Sequence, residues 1–459
     1  MSRSPGFYEK HFLLRNANGL YTNLSSTAKY NKHVTKAHLA EALRLLINEN
    51  SWFTHNTFRV ANTGNVYKDY VTRPVDHINF DSVVQYIEIE EFDRYALERT
   101  VTMRVPVNRD DAPLWRLLVM ETKTEQYFTF YACHSHFDGG STAQFHKDLM
   151  GYLGKTSGSE FNGELYKNQG TSVLPAVETL TNLFYPSWFQ KFKFFFEIKT
   201  PKLYEWVNWI FNGFKSPKLF EAEPISANVE NKIRIINLPP SEVSKLVGHC
   251  RSNSYTVTPY ITAVVKRSLE RFVFPQYHSN PEEVSTKLFM AVEGRRYYPE
   301  LSEDIKYGAF VCGDTYIMPH QDNFEGEVKE IHKKIKESIE SKEGFKHVWA
   351  LKIMDTVNML KSLIGSKKRT TLLITNLGSL KEVPDQEWQI TDAYFTSNNS
   401  LVYHFIVHAV STAKGGLNIC LSYLPEYENL TTTVDEKEVS VMNAVEADIR
   451  ASFSRAINQ

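Results

Sequence analysis

The run His134-Ser135-His136-Phe137-Asp138-Gly139 concentrates groups able to move a proton or hold a cation. An imidazole titrates near neutrality, so His134 can take a proton from a hydroxyl or an amine at pH 7, typically speeding transfer by roughly 10²- to 10⁴-fold. Asp138 reads as a turn carboxylate that tethers backbone or an arginine, not as a relay partner of the imidazole. Gly139 reads as the residue that lets the turn close, with a positive φ expected. The spacing alone is weak evidence. With 15 histidines in the chain, roughly one His-x-x-x-Asp arises by chance, and the following glycine lowers that to a few hundredths. The segment His77-Ile78-Asn79-Phe80-Asp81 is an internal control: Ser82 replaces the glycine and Pro74 precedes it, so His77 reads as an ordinary loop histidine.

Two other readings compete for the same residues. His134, His136 and Asp138 match the first part of the H-x-H-x-D-H metal run of metallo-β-lactamase-type hydrolases, with Gly139 where the last histidine would stand. Beyond them, only His404 and His408 would share a strand face, so a metallohydrolase is the alternative and no metal is the expectation. A histidine on an aromatic strand is also often a satisfied core residue, which would leave a catalytically silent lipid-binding relative.

A base at this position needs a rigid strand before it and a helix after it. Residues 126 to 133 are short and aromatic, so they read as a buried strand, while Ser141 to Gln144 has capping-box spacing ahead of an apolar face of Phe145, Leu149, Tyr152 and Leu153. Thr35 caps an earlier helix whose Leu39, Ala42, Leu43, Leu46 and Ile47 share a face. The second half restarts with a strand at 232–238, a helix opened by Thr258 and Pro259, a lysine-rich helix at 326–342 and an apolar segment at 348–363. Strands at 371–375 and 402–410 follow, then a last helix over 435–452 with acids in its first turn.

At 459 residues the chain exceeds one core, and a division into 1–180, a crossover over 181–219 and 220–459 fits its composition shifts. The crossover is the oddest stretch. Between Phe184 and Phe214 aromatics alternate with Lys191, Lys193, Lys199 and Lys202, which suits either a membrane-surface helix pair or a crossover buried between lobes. Lys+Arg 52 against Asp+Glu 53 gives no global field for nucleic acid, and four scattered cysteines suit a reducing compartment. No secretory signal or spanning segment is evident. The expectation is a cytoplasmic monomer, soluble or peripheral on the endoplasmic reticulum or lipid droplets.

His134-x-x-x-Asp138-Gly139 after an aromatic strand resembles the motif of the chloramphenicol acetyltransferase-like superfamily, which includes condensation domains and plant BAHD acyltransferases. Leu39-Ala40-Glu41-Ala42-Leu43, Asn50-Ser51-Trp52-Phe53, Pro113 to Leu118, Thr256 to Tyr260 and Thr375-Asn376-Leu377-Gly378 are similar, more narrowly, to the fungal alcohol O-acetyltransferase family. Cys133 departs from relatives carrying a second histidine there, and the absence of Asp-Phe-Gly-Trp-Gly disfavours the BAHD branch. The resemblance implies an α/β (α+β) fold of two lobes, each a mixed sheet flanked by helices, with His134 at their interface. It implies an acetyl-CoA-dependent O-acetyltransferase with His134 as general base. Some fungal relatives instead act as N-acetyltransferases on long-chain sphingoid-like amines.

The expected co-substrates are acetyl-CoA and a small hydrophobic alcohol or amine, with no permanently bound cofactor and no nucleic acid. Thr375, Asn376 and Ser379 are candidates for holding the oxyanion. Lys367, Lys368 and Arg369 are candidates for the phosphates of CoA. The resemblance also implies that a second-lobe arginine, Arg295 or Arg296, reaches across to tether Asp138.

Overall fold

The strand Gln126–Ala132 is buried along its whole length, because both of its faces carry aromatics that different layers cover. Phe128 and Phe130 enter the larger core, where Phe130 stacks on Phe145 of the helix Gly139–Leu153 at 4.1 Å. Tyr127 and Tyr131 pack on the other side with Leu118 and Met120. The computed structural model describes residues 1–458 apart from 201, 204, 205, 208, 209, 211–216 and 302–304.

Around this strand forms a five-stranded mixed sheet in the order Ile390–Ser397, Leu24–Tyr30, Gln126–Ala132, Trp115–Glu121, Val84–Glu88. The helix Lys36–Glu49 covers it, capped by the Thr35 side chain and burying Leu39, Ala42, Leu43, Leu46 and Ile47. A six-stranded mixed sheet forms the second lobe in the order Val311–Met318, Thr286–Glu293, Thr370–Leu380, Tyr403–Thr412, Gly416–Tyr423, Lys232–Leu238. The helices Val257–Phe272 and Val441–Ile457 share its core.

One strand ties the two lobes together. Ile390–Ser397 comes late in the chain yet pairs antiparallel with Leu24–Tyr30. The chain then returns to the second sheet through a buried polar corner. Asn398 Nδ2 donates to the Val229 carbonyl at 2.6 Å and to Asn231 Oδ1 at 2.7 Å. Ser400, held at φ 54, donates its hydroxyl to the Leu20 carbonyl at 2.5 Å. These bonds satisfy backbone that would otherwise be stranded between lobes.

Several boundaries differ from the sequence expectation for local reasons. Asp138, not Ser141, caps the helix Gly139–Leu153, because its carboxylate accepts the Ser141 N–H. The helix Val257–Phe272 begins after Thr256, which frees the Thr258 hydroxyl to accept from Asn376 Nδ2 at 3.0 Å. The last helix begins at Val441. Asp435 and Glu436 instead form the two-residue turn of a hairpin, at φ 48 and 63. His77 lies exposed on a short strand, His77–Asn79.

In the aromatic stretch Phe184 is fully buried, whereas the helix that follows it is mostly not buried between the lobes. Ser187 caps a helix Trp188–Lys199 in which Phe194 alone is buried. Trp188, Phe189, Phe192 and Phe195 are 79%, 71%, 59% and 53% exposed. Pro201 and Gly213, expected to break the helical period, lie outside the described residues. Among the described residues no helix is long and apolar enough to cross a membrane.

Candidate active site

His134 lies two residues beyond the strand Gln126–Ala132, after Cys133, and faces a cavity of about 480 Å³ lined from both lobes. Its ring lies flat on Phe12, with centroids 4.0 Å apart and planes 12° apart. Nδ1 is enclosed without a hydrogen-bond partner. Only Nε2 can therefore receive a proton from a molecule in the cavity. Burial pushes the imidazole pKa down to about 4, although the Asp138 charge opposes this, which favours the unprotonated ring at pH 7.

Asp138 takes no part in the cavity. Its carboxylate is fully buried and accepts from the Ser141 N–H and hydroxyl at 2.8 Å each, and from the Phe310 N–H at 2.7 Å. Arg295 Nη1 reaches it at 2.9 Å from the second lobe. Burial pushes the Asp138 pKa up, but the Arg295 charge and these hydrogen bonds outweigh it and hold the group below its ordinary value. Arg295 also donates to Glu293, the Ser141 hydroxyl and the carbonyls of Ile305 and Gly308. Arg296 makes no such contact among the described residues.

Gly139 has no positive φ, contrary to the expectation from its place in the motif. Close approach is what excludes a side chain there. A Cβ would lie 2.8 Å from the Phe395 ring, which lines the cavity, and 2.9 Å from Leu377 Cδ2. At Gly140 it would lie 2.5 Å from the Glu293 carboxylate.

The remaining sequence candidates divide. Thr375 lines the cavity, whereas Asn376 and Ser379 are exposed beside a bulge in the strand Thr370–Leu380, where Gly378 takes φ 74. Lys367 and Lys368 are exposed. Arg369 is not available to a phosphate: it is buried, donates to the Leu401 carbonyl at 3.2 Å and faces Glu426 at 3.5 Å.

The side chains named in the metal reading do not converge on one point, and several are engaged elsewhere. Asp138 is committed to Arg295, the His136 Nδ1 faces the Ser135 hydroxyl at 3.0 Å, and His404 and His408 bond to Tyr427 and Ser397. Among the described residues no group of three or more His, Cys, Asp or Glu side chains is placed to hold a cation.

Sequence reasoning missed the contribution of the first helix, Phe7–Ala17, whose Tyr8, His11, Phe12 and Arg15 line the cavity with Tyr21. Their i, i+3, i+4, i+7 spacing was the available signal, and it is also the spacing of any buried helix face. Larger depressions of about 580 and 850 Å³ lie elsewhere. Neither holds a histidine with an open nitrogen beside an apolar wall and a motif turn, so size does not decide the site.

A family model of alcohol acetyltransferases matches residues 4–445. The chain belongs to the alcohol acetyltransferase family. It is 22% identical to alcohol O-acetyltransferase 2 of Saccharomyces cerevisiae, over 92% of this chain and 91% of that protein. An uncharacterised protein of Schizosaccharomyces pombe is 21% identical over 82% and 83% of the two chains. Among solved structures, trichothecene 15-O-acetyltransferase from Fusarium sporotrichioides superposes with a TM-score of 0.65 at 12% identity, covering 98% and 95% of the chains. The epimerization domain of tyrocidine synthetase B superposes at 0.61, with 11% identity and 100% and 96% coverage. The fold of this family member is therefore the two-lobed condensation-domain fold, and the protein is an acetyltransferase enzyme.

The Asp138–Arg295 pair gives the first prediction. The substitution Arg295→Met leaves a buried carboxylate unpaired, which costs about 3–5 kcal/mol of stability, measured by denaturant unfolding. Adding Asp138→Asn to Arg295→Met removes the stranded charge, and the double variant is expected to recover part of that loss.

Proposed function

We propose that this protein transfers an acetyl group from acetyl-CoA to the hydroxyl of a hydrophobic alcohol, with His134 as the general base. The observation that carries this reading is the neutral, cavity-facing His134 with one enclosed and one open ring nitrogen. Nε2 takes the hydroxyl proton as the alcohol oxygen attacks the thioester carbonyl carbon. The tetrahedral intermediate then collapses, breaking the carbon–sulfur bond, and the departing thiolate takes up the proton from His134. The charges balance without a covalent enzyme intermediate.

The acceptor follows from the walls. Phe289, Ala291, Val311, Leu373 and Ile406 make most of the cavity lining apolar, which favours an aliphatic or alicyclic alcohol. The donor's phosphates need cations outside that wall. Lys287 shares a sheet face with Phe289 and Ala291, and burial together with the Lys368 charge lowers its pKa. Lys287, Lys367 and Lys368 are accordingly the groups we assign to the phosphates of CoA.

We also propose that the helix Trp188–Lys199 seats the enzyme on an anionic membrane surface. Phe195, Trp188, Phe192 and Phe189 span an arc of about 120°, with Lys191 and Lys193 roughly 100° to either side of its centre. Phe194 on the opposite face packs against His347, a residue of the cavity wall. The aromatic face is thus fixed beside the wall through which a lipid-soluble acceptor would enter.

Two measurements test these assignments. Thiol release from acetyl-CoA in the presence of 1-octanol is expected for the full chain, falling about 10²- to 10⁴-fold in His134→Ala with unchanged unfolding temperature. Activity untouched by that substitution would contradict the mechanism. In flotation with phosphatidylcholine vesicles containing phosphatidylserine, the wild type is expected to float, and the triple variant Trp188→Ser/Phe192→Ser/Phe195→Ser to stay in solution with its octanol activity intact.

A further inference from the structure

The first helix carries a charge that no described residue neutralises. Arg15 is 7% exposed, and among the described residues no carboxylate pairs with its guanidinium. Its hydrogen-bond partner is a neutral one, His11 Nε2 at 3.3 Å from Nη1, and the His11 pKa lies well below its ordinary value through burial and then through the Arg15 charge. Nε of Arg15 is enclosed with no partner. The plane of the group lies over the Tyr21 ring at 4.7 Å and within 5.4 Å of the Phe12 ring. Tyr21 repeats the pattern: it is 2% exposed and its hydroxyl has no partner among the described residues.

Both side chains line the cavity of His134, and both are placed on the base. Phe12 carries the His134 ring at 4.0 Å on one side and the Arg15 group on another, while the Tyr21 ring stands 6.3 Å from the imidazole. A buried cation without a counter-ion is an expensive arrangement, retained where a ligand or a transition state brings the missing charge. The nearby Asp138 cannot serve, since its charge is already matched by Arg295. The acyl transfer creates one new negative charge in the cavity, on the former carbonyl oxygen. A guanidinium in water-poor surroundings is a strong donor to such an oxygen.

We infer that Arg15 is the oxyanion-binding residue of this enzyme, donating through its terminal guanidinium nitrogens to the thioester carbonyl oxygen as it becomes negative, while the Tyr21 ring holds that group in place. The assignment rests on the acyl-transfer reading and adds to it one catalytic residue from the N-terminal helix, Arg15, and one positioning residue, Tyr21. Thr375, on the opposite wall, is then a lining residue and not the principal donor. An acidic substrate group is the competing partner for the same cation, and the apolar walls argue against it.

The test uses the full chain with acetyl-CoA and 1-octanol, comparing wild type, Arg15→Met, Arg15→Ala, Arg15→Lys, Tyr21→Phe and His134→Ala. For Arg15→Met, kcat is expected to fall about 100-fold while both KM values stay within about threefold, the split that marks a donor used in the transition state. Added guanidinium is expected to restore part of the Arg15→Ala activity. Because the Arg15 charge lowers the His134 pKa, its removal should also move the acid limb of the rate profile to higher pH. Should Arg15→Met fail to fold, Arg15→Lys, which keeps the charge without the planar fork, must show a smaller kcat loss with KM unchanged, while Tyr21→Phe, which keeps the ring, stays near wild type.

A raised KM with unchanged kcat, confined to acidic acceptors, would overturn the inference in favour of an anionic substrate. Full activity in Arg15→Met beside an inactive His134→Ala would overturn it while leaving acyl transfer intact. A wild type that releases no thiol with any alcohol would instead defeat the underlying reading.

Discussion

The buried carboxylate of Asp138 organises this molecule. It accepts hydrogen bonds from its own helix through Ser141 and from the other lobe through Arg295 and the Phe310 N–H. A pair of this kind adds little net stability over an apolar substitute, because desolvating both charges offsets their attraction. What it supplies is position. Asp138 caps the helix Gly139–Leu153 and stands four residues from His134, so the contact that registers the two lobes also sets the turn that aims the imidazole.

Burial then gives the imidazole its chemistry. His134 is stacked on Phe12 and closed off at Nδ1, and desolvation keeps it unprotonated where a free histidine would carry partial charge. The same apolar walls that hold it neutral suit a hydrophobic acceptor and leave the Arg15 charge exposed to whatever negative group forms nearby. Phe395 from the crossing strand and Leu377 from the strand Thr370–Leu380 of the second lobe both press on Gly139, so the helix start is packed by both lobes. Site and interface are one construction.

Much of this was legible in the sequence where local patterns carry it. The aromatic strand at 126–132, the Thr35 cap and the apolar face of the helix Lys36–Glu49 follow from side-chain period and capping chemistry alone. The pairing of Arg295 with Asp138 is 157 residues distant along the chain and had no local signature, only a family resemblance. The strand Ile390–Ser397 was not among the segments read from the sequence, and which sheet it joins is a tertiary choice made by the buried corner at Asn398 and Ser400. Arg369 looked like part of a basic cluster with Lys367 and Lys368, yet burial against Leu401 and Glu426 separates it from them. Arg15 was invisible for the opposite reason, since a cation on a helix face reads as solvated until the fold encloses it.

The protonation state of His134 is the most direct test of the whole account. Imidazole nitrogen NMR of labelled protein, assigned with the His134→Ala variant, reads that state and the tautomer at once. A folded pKa depressed to about 4 means the base form is present throughout the neutral range and is lost only as the pH falls toward that value. The account predicts a neutral ring from pH 8 down to about pH 5, with its proton on Nδ1 and its lone pair on Nε2. Protonation of that ring at or above the ordinary histidine value of 6.5 would contradict it.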